Sequence, residues 1–227
     1  MKKVSYLFCL LFVANVIFIG CTTERYPEGG WGYHSDGVRN APDNLLIDEG
    51  VPIGAIDGVP ILWATRNVDA PGIFAPFPNS VGMLFQWNRR RGWSNGGAPV
   101  TPRNWDGTPA EGTTWYAAND PCPTGWRVPT IEEIGELFNA GFSGWTQLKG
   151  VNGRFFGTAP YRIFVPAITG RSPGGTPFSF SKSRGGLWSS MPHSPFTSWG
   201  LFFDYAYITM VGTAYSMSAY SVRCVAK

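Results

Sequence analysis

Charged side chains are scarce in this 227-residue chain: only 15% of positions are Asp, Glu, Lys or Arg, where about 25% is usual. A disordered acidic or basic protein needs far more charge and fewer rings, so that class is excluded. The net charge of +3 is too small for a nucleic-acid-binding surface. Histidine is scarcer still, His34 and His193 being the two present. No Cys or His stands at zinc-ligand spacing. No Gly-rich phosphate loop precedes a helix, and no repeat of about 20–50 residues marks a solenoid or propeller. Glu132, Glu133 and Glu136 fall on one short helix and read as its capped, solvated face rather than as acid and base. A serine nucleophile would need a partner base, and His193 in a Pro-flanked loop is a poor one. These absences point to binding rather than bond chemistry, so the expectation is no enzyme activity, no cofactor and no metal site.

Rings and turns are abundant instead. The chain carries 10 Trp, 9 Tyr and 16 Phe, together with 29 Gly and 19 Pro. That mixture suits short strands and ordered loops better than a helical bundle. With 44% hydrophobic residues the chain can bury a sizeable core.

The first 20 residues have the layout of a leader. Lys2 and Lys3 form a basic start, Val4 to Ile19 is an apolar run without charge, and Gly20-Cys21 follows. A small residue followed by cysteine resembles a bacterial lipobox, in which Cys21 is lipidated and becomes the first residue. An uncleaved anchor is the alternative, but the apolar run is short for a span of about 20 residues. Residues 1–20 are therefore read as a lipoprotein signal peptide, 21–49 as a tether, and 50–227 as the folded domain. The expected location is the cell envelope, lipid-anchored in the outer membrane and exposed at the cell surface. Cys9 leaves with the leader. Cys122 and Cys224 then remain, either as a bridge or as two buried thiols, and export favours the bridge.

Within 50–227, Val51–Gly54 and Ile61–Thr65 read as short strands. Phe74–Trp87 is aromatic and turn-rich, Arg89-Arg90-Arg91 reads as a solvated loop, and 92–114 as long loops. One helix is clear. Thr130 and Glu133 match a capping box, and Ile131, Ile134, Leu137 and Phe138 share a face between Pro129 and Gly141. Gly153–Gly157 and Tyr161–Val165 read as strands. Gly-rich 169–176 and 184–186 separate them from a β-rich block over 187–225.

That last block is the informative one. Between Leu187 and Val222 the only formal charge is Asp204, among Trp188, Phe196, Trp199, Phe202, Phe203, Tyr205, Tyr207, Tyr215 and Tyr220. Trp199, Leu201 and Phe203 alternate on one parity and Ile208 and Met210 on the other, so a hairpin turn or bulge is expected around Asp204–Tyr207. If the sheet has one core face, Phe202, Tyr205, Tyr207, Thr209 and Val211 form an outer, interacting set. A sheet buried on both faces would give the same charge-free pattern. The hydroxyl content and the His193-Ser194-Pro195 loop tilt the reading toward a recognition surface.

Several segments together resemble the Fibrobacter succinogenes major paralogous domain. They are Leu62–Asp69, Gln86–Arg89, Asn119–Thr130, Val151–Gly157, Trp188-Ser189-Ser190 and Ser221–Val225. The resemblance spans roughly 50–227. It implies an α+β, C-type lectin-like fold of the formylglycine-generating-enzyme type: small twisted antiparallel sheets, one or two short helices and long ordered loops. It also implies that Cys122 and Cys224 pair. Some such lipoproteins are similar to the variable proteins of diversity-generating retroelements, where a fixed frame flanks diversified ligand contacts. Phe202, Tyr205, Tyr207, Thr213, Tyr215 and Tyr220 occupy such places here. The Glu-Pro-Asn and Gln-Pro-Asp type motifs of calcium-dependent sugar binding are absent. The chain also lacks the paired active-site cysteines of formylglycine-generating enzymes, so neither activity is implied.

The ligand-contact candidates are thus His193, Phe196, Trp199, Phe202, Tyr205, Tyr207, Thr209, Thr213, Tyr215 and Tyr220. The expected protein is a monomeric surface lipoprotein, tied to the membrane by its N-terminal lipid. It binds a protein or glycan on another cell or a phage, and no nucleic acid. The alternative is a structural or tip subunit of a surface fibre that uses the same patch for assembly.

Overall fold

The computed structural model describes residues 47–95, 105–168, 170–178 and 183–227, without the side chains of 209–211. The leader, Cys21, His34 and the tether up to residue 46 lie outside the described residues.

The first hairpin joins β1 (Val51–Ile56) to β2 (Val59–Ala70) through Asp57-Gly58. Both turn residues are left-handed, with φ of 51° and 78°, as a two-residue hairpin turn of matching twist requires. The last strand, β14 (Arg223–Ala226), pairs antiparallel with β2, so the two ends of the domain lie side by side. A short β6 (Trp126–Arg127) borders β14, and β3 (Ile73–Phe74) pairs with the far end of β2. Three smaller antiparallel sheets complete the described chain. One is the meander β7 (Thr146–Leu148), β8 (Val151–Thr158) and β9 (Tyr161–Pro166). Another groups β4 (Leu84–Gln86), β5 (Gly92–Trp93) and β13 (Ala219–Tyr220). The third is β10 (Arg184–Pro192), β11 (Thr197–Asp204) and β12 (Ile208–Tyr215). The architecture is α+β, built mostly of small antiparallel sheets around one described α-helix.

That helix, α1, runs Ile131–Asn139 as the capping box requires. Thr130 Oγ1 accepts from the Glu133 amide at 3.3 Å, and Glu133 Oε2 accepts from the Thr130 amide at 2.8 Å. Arg127 then grips both Glu133 oxygens, at 2.6 and 2.8 Å. Ile134 and Leu137 are fully buried against Trp63, Phe156 and Leu201. The helix thus seats one core, and a second gathers Phe85, Trp87, Trp115, Trp126 and Trp188 around the Cys122–Cys224 disulfide. The bridge is formed, with Cα atoms 6.0 Å apart and the partners separated by 102 positions in sequence.

The sheet β10–β11–β12 separates the two cores. Leu187 pairs with Leu201 in register, and both enter the helix-side core. Trp188 pairs with Gly200 and points to the other core, where Phe202 joins it. The centre of this sheet is therefore buried on both faces, which corrects the expectation that Phe202 belongs to a free outer set. The expected change of face is realised by a hairpin. The Asp204 amide donates to the Tyr207 carbonyl at 2.8 Å, and Asp204 Oδ1 accepts from the Ala206 and Tyr207 amides. Residues 184–186 open β10 instead of separating strands. Gly186 is there because a Cβ would stand 2.7 Å from the Phe202 ring and 2.8 Å from that of Tyr220. The Arg89–Arg91 run is not simply solvated: Arg89 pairs with Asp106 at 2.7 Å, Arg90 donates to the Asp120 carbonyl, and Arg91 lies over the Trp93 ring. The fold also begins before residue 50. Asp48 is almost wholly buried and accepts from the Thr65 amide and hydroxyl and from Arg66 Nε.

Candidate binding groove and its surroundings

The pattern of β11 distributes the candidate residues over four places. Residues that pair across an antiparallel sheet share a face, as do positions two apart on one strand. Thr197 pairs with Tyr215 and Trp199 with Thr213, so these four share the face of Leu201 and Phe203. They lie beyond the end of the helix-side core. Tyr215 is 56% exposed, Thr213 is exposed, and Trp199 is half-buried against His193, with ring centroids 4.3 Å apart.

Ser198 and Ala214 occupy the opposite face. That face opens into a groove of about 1000 Å³ between the 108–119 segment and the β10–β11 loop. His193 and Phe196 line it, and of the ten candidates they alone do so. Phe202 and Tyr220 lie at the centre of the sheet, half-buried against the second core. Their rings are 4.9 Å apart, and the Trp188 ring lies 6.2 and 5.1 Å from them. Burial pushes the Tyr220 phenol up to about 12, against a smaller opposing effect of Arg184. Tyr205 and Tyr207 are 69% and 75% exposed, at the hairpin tip. One strand of rise, roughly 20 Å, separates that tip from the groove end. The Thr209 and Val211 side chains lie outside the described residues.

The groove is held open by loops that are tied down. In the β10–β11 loop, the His193 and Ser194 amides both donate to the Thr197 carbonyl, at 2.9 and 3.0 Å. Ser194 Oγ and Thr197 Oγ1 stand 2.7 Å apart, and His193 Nδ1 meets Thr197 Oγ1 at 3.0 Å. The Phe196 carbonyl accepts from the Ser216 amide and hydroxyl, at 2.9 and 3.2 Å, while its ring stays 57% exposed. Opposite, Asn88 is fully buried and organises the wall. Its Oδ1 accepts from the Tyr116 amide, and its Nδ2 donates to the Glu111 carbonyl, both at 2.8 Å. Gly112, at φ +113°, leaves room for the Tyr116 ring; a Cβ would stand 2.6 Å from it. Arg89 lines the groove and pairs with Asp106. Burial pulls the Asp106 carboxyl up, but hydrogen bonds from Thr108 and the Arg89 guanidinium outweigh it and hold the group below the usual carboxylate range.

Tyr116, Glu111, Ser198 and Ser216 line this groove without having been singled out by the sequence. The one available signal was Tyr116, a ring beside Trp115 in a stretch rich in Gly, Pro, Thr and Ala. Among the described residues no three His, Cys, Asp or Glu side chains converge as a metal site would need. No helix among them is long and apolar enough to cross a membrane. No protein-family model, curated protein or solved structure matches this chain.

Proposed function

We propose that this chain is the ligand-binding domain of a surface-exposed lipoprotein of the Fibrobacter succinogenes major paralogous type. In this reading the fold is C-type lectin-like, and the domain binds through the groove end of β10–β12 without bond chemistry. One observation carries the proposal. A groove of about 1000 Å³ is flanked by two exposed rings, Phe196 at 57% and Tyr116 at 48%, on loops fixed by their own hydrogen bonds. A surface that is already ordered loses little entropy on binding, and exposed rings in fixed places act as anchors. The pairing of the first long strand with the last and the bridge from the mid-chain loop to β14 suit a lectin-type frame.

The test uses the full chain, extracted in detergent, on an array of glycans and envelope proteins. Phe196→Ala and Tyr116→Ala are expected to remove the wild-type signal while the melting temperature moves by less than about 3 °C. A signal that survives both substitutions overturns the groove as the binding surface.

A second reading, assembly into a surface fibre, draws on Tyr205 and Tyr207 at the opposite end of the sheet. It requires self-association or one constant partner, lost in the Tyr205→Ala, Tyr207→Ala double variant. A monomer that retains no partner rejects it.

A further inference from the structure

We infer that the groove takes an arginine side chain of a protein partner, its guanidinium paired with the Glu111 carboxylate and stacked on the exposed rings of Tyr116 and Phe196. The inference rests on the ligand-binding reading above and narrows the ligand to a cationic protein segment.

The charge balance of the groove carries the inference. Its lining holds one Arg and one Glu, Arg89 and Glu111. Arg89 is neutralised on the spot: Nε donates to Asp106 Oδ2 at 2.7 Å, and Nη2 reaches Thr108 Oγ1 at 3.4 Å. The next two arginines face elsewhere. Arg90 lines a separate hollow and donates to the Asp120 carbonyl, and Arg91 lies over the Trp93 ring. Glu111 is exposed, and its carboxylate has no ion pair among the described residues. The groove therefore presents one uncompensated negative charge. That charge is set beside a ring. A Cβ on the adjoining Gly112 would stand 2.6 Å from the Tyr116 hydroxyl, so the tip of that ring reaches the 111–112 backbone. Asn88 fixes both groups at once. Its Oδ1 accepts from the Tyr116 amide and its Nδ2 donates to the Glu111 carbonyl, both at 2.8 Å. Phe196 borders the groove from the β10–β11 loop.

A carboxylate beside exposed rings suits a guanidinium better than other groups. Ring faces attract a cation. The guanidinium is planar and weakly hydrated, so it stacks on a ring while its edge gives a carboxylate two parallel N–H donors. A lysine ammonium is compact and strongly hydrated, and gains less from the same place. An anionic ligand would meet Glu111 and no free positive charge, since Arg89 is tied to Asp106. The partner projects a side chain into the groove instead of adding a strand, because β11 beneath it is paired on both sides, with β10 and β12.

The experiment selects from a random dodecapeptide library on the immobilised full chain in detergent, then titrates the best binders calorimetrically as synthetic peptides. Arginine is expected to be enriched over lysine, aspartate and glutamate among peptides that the Phe196→Ala variant no longer retains. Glu111→Gln in the protein, and citrulline (a neutral isostere) for arginine in the peptide, should each weaken binding at least about tenfold. The two changes together should weaken it little more than either alone, because both remove the same pair. Glu111→Gln should leave the melting temperature where it was, since the carboxylate has no ion pair to lose. The Tyr205→Ala, Tyr207→Ala variant should bind as the wild type does. Selected peptides without arginine, or additive effects of the two neutralising changes, overturn the inference. If such peptides still need Phe196, the ligand-binding reading stands with a different ligand. A selection that yields no peptide dependent on Phe196 or Tyr116 overturns the inference as well, and the array of glycans and envelope proteins then decides separately on the groove.

Discussion

Tyr220 lies against the rings of Trp188, Phe202 and Phe178, and its hydroxyl shares that partly buried setting. Burial favours the neutral phenol, so its folded-state value stands at about 12 against an ordinary 10. The sign follows from proton counting. Between those two values the unfolded chain has lost the proton and the folded chain keeps it, so unfolding releases a proton. The stabilising contribution is complete below pH 10 and is lost as the pH rises toward 12. Its size is on the order of 2 kcal/mol. Urea midpoints measured from pH 9 to pH 12 should fall, and Tyr220→Phe should flatten much of that fall. An unchanged slope in the variant would mean that another group carries the alkaline loss. The same packing sets this residue apart from the other tyrosines of the block. Tyr207 and Tyr220 are alike in sequence terms, ring residues in a charge-free stretch. What separates them is Gly186 on the neighbouring strand, whose missing Cβ admits both the Phe202 and the Tyr220 rings.

At the scale of elements, legibility follows the range of the interactions. α1 was legible end to end, because its cap, its apolar face and its stop lie within a dozen residues. The β8–β9 hairpin and the Asp204–Tyr207 turn were legible for the same reason. The groove was not. Its walls are brought together by the Trp87 indole donating to the Ser189 carbonyl, at 2.9 Å, and by the Trp115 amide donating to the Ser190 carbonyl, at 2.8 Å. Nothing in the local pattern of either segment announces the other. The distribution of the aromatic candidates was hidden likewise. It depends on strand pairing that puts odd positions of β11 toward the helix and even positions toward Trp188. The local side of this contrast can be measured at α1. Thr130→Ala removes one cap hydrogen bond and leaves Glu133 held by Arg127. It should cost about 1 kcal/mol of global stability, with faster amide exchange at Glu133 first. A loss above about 3 kcal/mol would show that Thr130 supports the core beyond the helix.

At the scale of the whole molecule, the chain is closed by contacts between its beginning, its middle and its end. β2 pairs with β14, β6 borders β14, and Cys122 is bonded to Cys224 beside them. Arg223, fully buried in the same strand, donates to Asn67 Oδ1 at 2.8 Å, to the Ala64 carbonyl at 3.1 Å and to the Phe164 carbonyl at 3.0 Å. Burial lowers that guanidinium to about 9, with Asp48 opposing and Arg66 adding to the fall, so it stays charged at neutral pH and holds all three acceptors. The bridge acts on the other state. With its ends 102 positions apart in sequence, it removes loop entropy from the unfolded chain worth on the order of 4–5 kcal/mol. The Cys122→Ser, Cys224→Ser double variant should therefore unfold at markedly lower urea. If the bridge works through the unfolded state, its loss should leave the groove and its affinity at low urea as they were. An intact bridge whose removal abolishes binding before it lowers stability would instead make it part of the native geometry, holding β14 and the 120–128 loop in place for the tryptophans behind the groove.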